Sequence, residues 1–182
     1  QSSCLRYNQL LWRQAAGLLF GEEMKIIEDK DSQVLWDIIE NKYCFGPCCT
    51  QESYNWITLP VPHKKYSLKK IWSKNNEKLI NSFFEELSED NFFALDWQHD
   101  GFTFSPKEYD IINFEYFDET RECNVYFPTY YPDGDYHFFF DKNFEIGLFG
   151  HPWLREVFVL GEKLIHKFDS NKNNLRIVEI RE

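Results

Sequence analysis

The sequence predicts an α+β protein: an antiparallel sheet of about five to seven strands with helices packed on one face. Three observations predict it. Two early stretches carry apolar residues at helical spacing. From Phe92 the period shortens to that of strands, broken by Asp-Gly and Asp-Lys-Asn turns. No Gly/Ser-rich linker, repeat or low-complexity tract divides the 182 residues. Strands joined by short turns pair antiparallel, because a parallel pair needs a long crossover. One core is expected at this length, and residues 24–182 read as a single domain.

Gln1–Glu23 admits two readings. It is an upstream extension before Met24, the chain's one methionine, or it is a native helix with Leu10, Leu11, Leu18 and Leu19 on one stripe and Gly21 past its end. Arginines among its apolar residues, and no small-x-small cleavage pattern, make it a poor signal peptide. After an N-cap at Asp31 or Ser32, the recurrence of Val34, Leu35, Ile38 and Ile39 predicts a helix near 32–42. Gly46-Pro47 opens a loop, and Trp56–Val61 reads as a short extended piece before Pro62. From Ser73, the stripe Leu79, Ile80, Phe83, Phe84 and Leu87 predicts a second helix near 75–88.

Beyond Phe92, FFALDWQ and FTFSP flank a tight turn at Asp100-Gly101. NVYFPTYYPDGDYHFFFD reads as a further hairpin with Gly134 supplying positive φ. Asp141–Asn143 and His151–Trp153 turn again, Glu162–Phe168 forms a last helix on Leu164, Ile165 and Phe168, and LRIVEI ends the chain as a strand. The sheet is expected to run unbroken from residue 92 to 160.

Composition narrows the function. A net charge of −10 repels phosphate backbones and disfavours nucleic-acid binding. No apolar run reaches the roughly 18 to 20 residues that span a bilayer. Five cysteines with no disulfide spacing suit a reducing cytoplasm, as free thiols in or near the core. Cys44, Cys48 and Cys49 lack a nearby fourth zinc ligand, so no metal or other cofactor is assigned.

The charge is uneven. His63–Lys78 holds six lysines, and Glu108–Glu122 sets six acids and one arginine among rings. Both stretches read as solvated faces. The acidic one also reads as a dock for a basic protein, with Tyr109, Phe114, Tyr116 and Phe117 as anchors and Glu115, Asp118 and Glu119 as steering charges.

Three polar clusters sit at expected strand ends: Asp96-Trp97-Gln98-His99-Asp100, Asp133-Gly134-Asp135-Tyr136-His137 and Gly150-His151-Pro152-Trp153. His99, Asp100, Asp135, His137 and His151 have the chemistry of a metal-dependent or acid–base hydrolase, which needs three or more ligands, or a His–Asp pair, to converge. They lack a diagnostic spacing, and no H-E-x-x-H, G-x-S-x-G or Gly-rich phosphate loop occurs. The competing reading is structural: Asp100 and Asp133 bond turn backbone before glycines, and His151 closes a turn before Pro152.

The quoted segments, from ALDWQHDGFTFSP through YYPDGDYHFFFDKNFEIGLFGHPWLREVFVLGEKLIHKF, resemble the bacterial domain-of-unknown-function family 2716. That family carries a D-W-Q-H segment, a P-x-G-D-Y strand, a G-x-x-G-H-P-W turn and an F-G-E-x-L helix start, here Leu160-Gly161-Glu162-Lys163-Leu164. The likeness is specific over residues 92–168, weaker over 24–84 and absent before Met24, which favours the extension reading. The family has no established activity. The order G-D-Y-x-F-F, turn, E-I-G, His, strand and apolar helix is more loosely similar to the SMI1/KNR4-type immunity superfamily, which implies a small acidic protein that neutralises a toxin.

Overall fold

The computed structural model describes residues 24–47, 55–108 and 115–181, so the expectations for Gln1–Glu23, Tyr109, Phe114 and the 48–49 cysteines lie outside it. The strands are β1 (Lys25–Ile26), β2 (His63–Leu68), β3 (Phe92–Asp96), β4 (Phe102–Phe104), β5 (Glu115–Asp118), β6 (Cys123–Tyr126), β7 (His137–Asp141), β8 (Gly147–His151), β9 (Glu156–Leu160) and β10 (Ile177–Ile180). The helices are α1 (Asp29–Tyr43), α2 (Lys74–Leu87), α3 (Glu162–Ser170) and α4 (Lys172–Leu175).

Eight strands form one antiparallel sheet in the order β1-β4-β3-β7-β8-β9-β2-β10, with β7 and β8 at its centre. The α+β antiparallel class is as expected. The sheet is larger than five to seven strands, and the helices cover both faces rather than one. Successive strand residues point to opposite faces, and here both sets are apolar. Phe92, Ala94, Phe139, Leu148 and Val157 join the core under α2 and α3, with Ile80, Phe84, Leu164 and Phe168. Phe93, Leu95, Phe138, Phe140, Phe149 and Phe158 join the core under α1, with Leu35, Ile38, Ile39 and Tyr43.

α2 begins as expected at Ser73, in a reciprocal capping box with Asn76. α1 begins earlier than expected, at an N-cap of Glu28, and sets Asp29 and Asp31 in the first turn where the helix dipole favours them. Trp56–Val61 forms no strand. β2 instead emerges from the lysine stretch and pairs with β9 and β10. Its Tyr66 and Leu68 are buried, while Lys64 reaches Asp169 and Glu179 and Lys65 reaches Glu156. Lysine stems that cover apolar surface while their heads find acids allow so charged a strand.

Two hairpins differ from expectation. β3 and β4 are joined by a five-residue loop, closed by His99 N–H donating to the Asp96 carbonyl, rather than by a tight turn at Asp100-Gly101. β6 does not pair with β7. It pairs with β5 in a separate two-stranded ribbon, so the sheet does not run unbroken through residues 92–160. Gly134 does hold φ of 85°, in the segment that leads from the ribbon to the central strand. The two described cysteines, Cys44 and Cys123, are exposed thiols rather than core residues. Among the described residues no helix is long and apolar enough to cross a membrane.

Candidate functional site

The central strands carry two buried histidines on opposite faces. His137 has the parity of Phe139, and His151 that of Phe149. They therefore do not converge, and the five hydrolase candidates fall into three places.

The first place gathers His137, His99 and Asp135 around Asp96. Asp96 and His137 are register partners at the ends of β3 and β7. His137 Nδ1 lies 2.8 Å and 3.0 Å from the Thr129 and Tyr131 carbonyls, so that nitrogen carries a proton. Its Nε2 lies 3.5 Å from Asp96 Oδ2. Burial lowers the imidazole's pKa, but Asp96 and the two carbonyls outweigh it and hold it above the usual range. The other Asp96 oxygen lies 2.9 Å from His99 Nδ1. Burial works against the charge on Asp96, yet His137 and His99 keep its pKa below the ordinary carboxylate range.

Asp135 is buried beside them. Its Oδ1 accepts the Tyr136 N–H at 2.7 Å and its Oδ2 the Gln98 N–H at 3.1 Å. Burial raises its pKa, and the neighbouring Asp96 raises it further. Trp97 packs edge-on to Tyr136, and its backbone N–H donates to the Tyr136 carbonyl, fixing the loop that carries Gln98 and His99. Gly150, opposite His137 in register, gives the crossing segment room: a Cβ there would meet Pro132 Cβ at 2.8 Å.

Behind this cluster stands Glu77 of α2, which the sequence reading did not single out. Its oxygens accept the Tyr130 and Tyr131 N–H groups at 2.6 Å and 3.0 Å. Burial dominates and pushes its carboxyl up to about 7, against the pull of those bonds and of His137. The loop segment Thr129–Tyr131 is thus gripped through the Tyr130 and Tyr131 N–H groups by Glu77 and through the Thr129 and Tyr131 carbonyls by His137. The signal was present: Glu77 lies three residues before Ile80 and seven before Phe84, on the apolar stripe of α2.

The second place is His151, which is fully buried. Trp56, Tyr136 and Trp153 surround its ring at centroid distances of 5.2, 4.7 and 5.8 Å. Nδ1 accepts the Leu154 N–H at 3.2 Å, closing the turn through the half-buried Pro152. Nε2, the protonated nitrogen of that neutral tautomer, lies 3.1 Å from the Tyr136 hydroxyl. Burial pushes the ring's pKa down to about 4. This is a neutral core histidine that shapes a turn. His151→Ala is expected to lower stability by roughly 1–3 kcal/mol, read by chemical denaturation at pH 7; an unchanged midpoint would contradict that role.

The third place is Asp100, whose Oδ1 lies 2.7 Å from Arg121 Nη1. Arg121 also pairs with Asp118 at 2.8 Å, so it ties the β3–β4 loop to the β5–β6 turn. Asp118 caps that turn, accepting the Thr120 and Arg121 N–H groups. Its carboxylate is therefore committed to that turn and to Arg121.

The ribbon itself turns one face inward through Val125, which is buried in the core under α2 and α3. The opposite face carries Glu115 and Phe117 from β5 and Asn124 and Tyr126 from β6. Phe117 is 58% exposed and Tyr126 57% exposed. Glu115, Glu119 and Glu122 are exposed around them. Tyr116 stands opposite Val125 in the register. Tyr126 lies just beyond the stretch chosen from sequence and was missed because its neighbours read as a hairpin with β7.

These features define a small acidic α+β protein built on one antiparallel sheet, with a buried polar cluster at the strand ends and an acidic, aromatic ribbon outside it. The family described as "Protein of unknown function (DUF2716)" matches residues 26–165, and the chain belongs to that family. It is similar to the "Uncharacterized protein YxiI" of Bacillus subtilis (strain 168), at 43% identity over 82 residues. That match covers 45% of this chain and 46% of the relative, so it spans about half of each. No solved structure matches.

Proposed function

We propose that the protein is a binding module for a basic protein, of the toxin-neutralising kind, and that the outer face of the β5–β6 ribbon is its dock. The observation that carries this reading is the pair Phe117 and Tyr126, each more than half exposed among Glu115, Glu119 and Glu122. Strand packing leaves no reason for two rings to face solvent there, whereas aromatic anchors ringed by charge are the usual composition of an energetic interface centre. A net charge of −10 steers a basic partner and speeds its encounter. The loose resemblance to the SMI1/KNR4-type immunity superfamily points the same way. The hydrolase reading has less support, because its five residues are divided among three places.

The test is neutralisation of a toxic domain encoded beside the gene, in cells that co-express both proteins. The intact chain is expected to restore growth. Phe117→Ala combined with Tyr126→Ala is expected to abolish rescue without lowering the melting temperature. Asp118 is left untouched, since its reversal would disturb the turn. Rescue by the double variant equal to that of the intact chain would remove the ribbon as the interface.

A further inference from the structure

We propose that Asp96, His99 and Asp135 form a binding site for a divalent first-row transition cation, a site independent of the ribbon dock. Three chain segments bring one donor each: the end of β3, the β3–β4 loop and the turn before β7. Asp96 Oδ1 lies 2.9 Å and Asp135 Oδ2 lies 3.9 Å from His99 Nδ1, and all three donor atoms lie within 4.8 Å of one another. Neighbouring ligands on a metal with bonds of about 2.1 Å are about 3.0–3.4 Å apart, so small side-chain adjustments complete the set.

The group is more than a patch of surface acids. Asp135 is 4% exposed, and its carboxylate is aimed by the Tyr136 and Gln98 N–H groups. Asp96 is backed by the buried His137, whose other nitrogen is fixed by two carbonyls. That is the outer-shell support which orients metal ligands. A cation between the two neighbouring carboxylates relieves a mutual repulsion that a shared proton and the facing His137 otherwise offset. His99, with its side chain 67% exposed, gives the site its open side and leaves coordination positions for water. One imidazole with two carboxylates selects Zn²⁺ or Mn²⁺ over Mg²⁺, which takes oxygen ligands.

Calorimetric titration of the metal-free full chain with Zn²⁺ at pH 7.5 tests the site. One equivalent is expected to bind, unaffected by excess Mg²⁺, and to raise the melting temperature. His99→Gln changes an exposed side chain and is expected to fold normally while weakening Zn²⁺ at least tenfold. A Cys44→Ser, Cys48→Ser, Cys49→Ser variant is expected to bind as the native chain does. The proposal is overturned if the native chain binds no Zn²⁺, if binding survives His99→Gln, or if it disappears with the cysteines. None of these outcomes bears on neutralisation by the ribbon.

Discussion

Phe138→Ala and Phe139→Ala are each expected to cost about 3–5 kcal/mol, the range for a truncated buried aromatic. The two residues are neighbours on β7, yet they occupy different cores. Phe138 packs on Trp36, Phe45, Trp56 and Phe149. Phe139 packs on Phe104, Phe127 and Tyr130, the last with ring centroids 4.4 Å apart. A sheet covered on one face would tolerate one of these substitutions at little cost, because the outward ring would already meet water. Urea denaturation of both variants decides the matter. Two losses of similar size support helices on both faces, and a loss confined to one variant would contradict them.

The second large effect is a stability that falls as pH rises through the buried carboxyl of Glu77. Its pKa in the folded protein is about 7, raised from an ordinary 4.5. Between those values the native state keeps a proton that the unfolded chain has released. The stability contributed by Glu77 is therefore fully present below pH 4.5, declines up to pH 7 and is lost above it, a total of roughly 3 kcal/mol. His137, also raised, adds to the decline above pH 6.5. His151 acts in the opposite sense. Its pKa is lowered to about 4, so its contribution grows as pH rises from 4 to 6.5. Comparison of the native chain with Glu77→Gln isolates the first effect. The amide keeps one acceptor and turns its own N–H groups toward the Tyr130 or Tyr131 N–H, costing about 1–3 kcal/mol at neutral pH. The native-minus-variant difference is expected to shrink as pH rises from 4.5 to 7. A difference independent of pH would show that Glu77 is an ordinary carboxylate.

Local patterns in the sequence were enough for α1, α2, α3, the Ser73 start and the turns at Asp141 and His151. Each rests on spacing or turn chemistry within a few residues. What failed depended on partners far along the chain. The lysines of β2 hid a strand because their acids, Asp169, Glu179 and Glu156, come about a hundred residues later. The pairing of β6 with β5 rather than β7 is a choice between two adjacent strands that alternation cannot make. Burial of both sheet faces was legible in principle: Phe92–Leu95 and Phe138–Phe140 are continuous apolar runs, the mark of a strand covered on both sides.

The candidate site shows the same division. The chemistry of His99, Asp135 and His137 was visible as residue type, and Asp96 was named with its motif. That Asp96 joins the two histidines depends on the register of β3 against β7, and the separation of His151 depends on face parity across β8. Neither is written in any single segment. Glu77 was overlooked because a glutamate on a helix is ordinarily solvated, and only the N–H groups of Tyr130 and Tyr131 make its burial tolerable.

Phe117, Tyr126 and the surrounding acids are proposed to bind a basic protein. The most direct measurement is surface-immobilised binding of the neutralised toxic domain to the native chain and to Phe117→Ala/Tyr126→Ala, across a series of NaCl concentrations. The claim predicts an association rate for the native chain that falls as salt rises. It also predicts at least a tenfold faster dissociation for the double variant, with an unchanged melting temperature. Equal dissociation rates for the two chains, together with a salt-independent association rate, would contradict it.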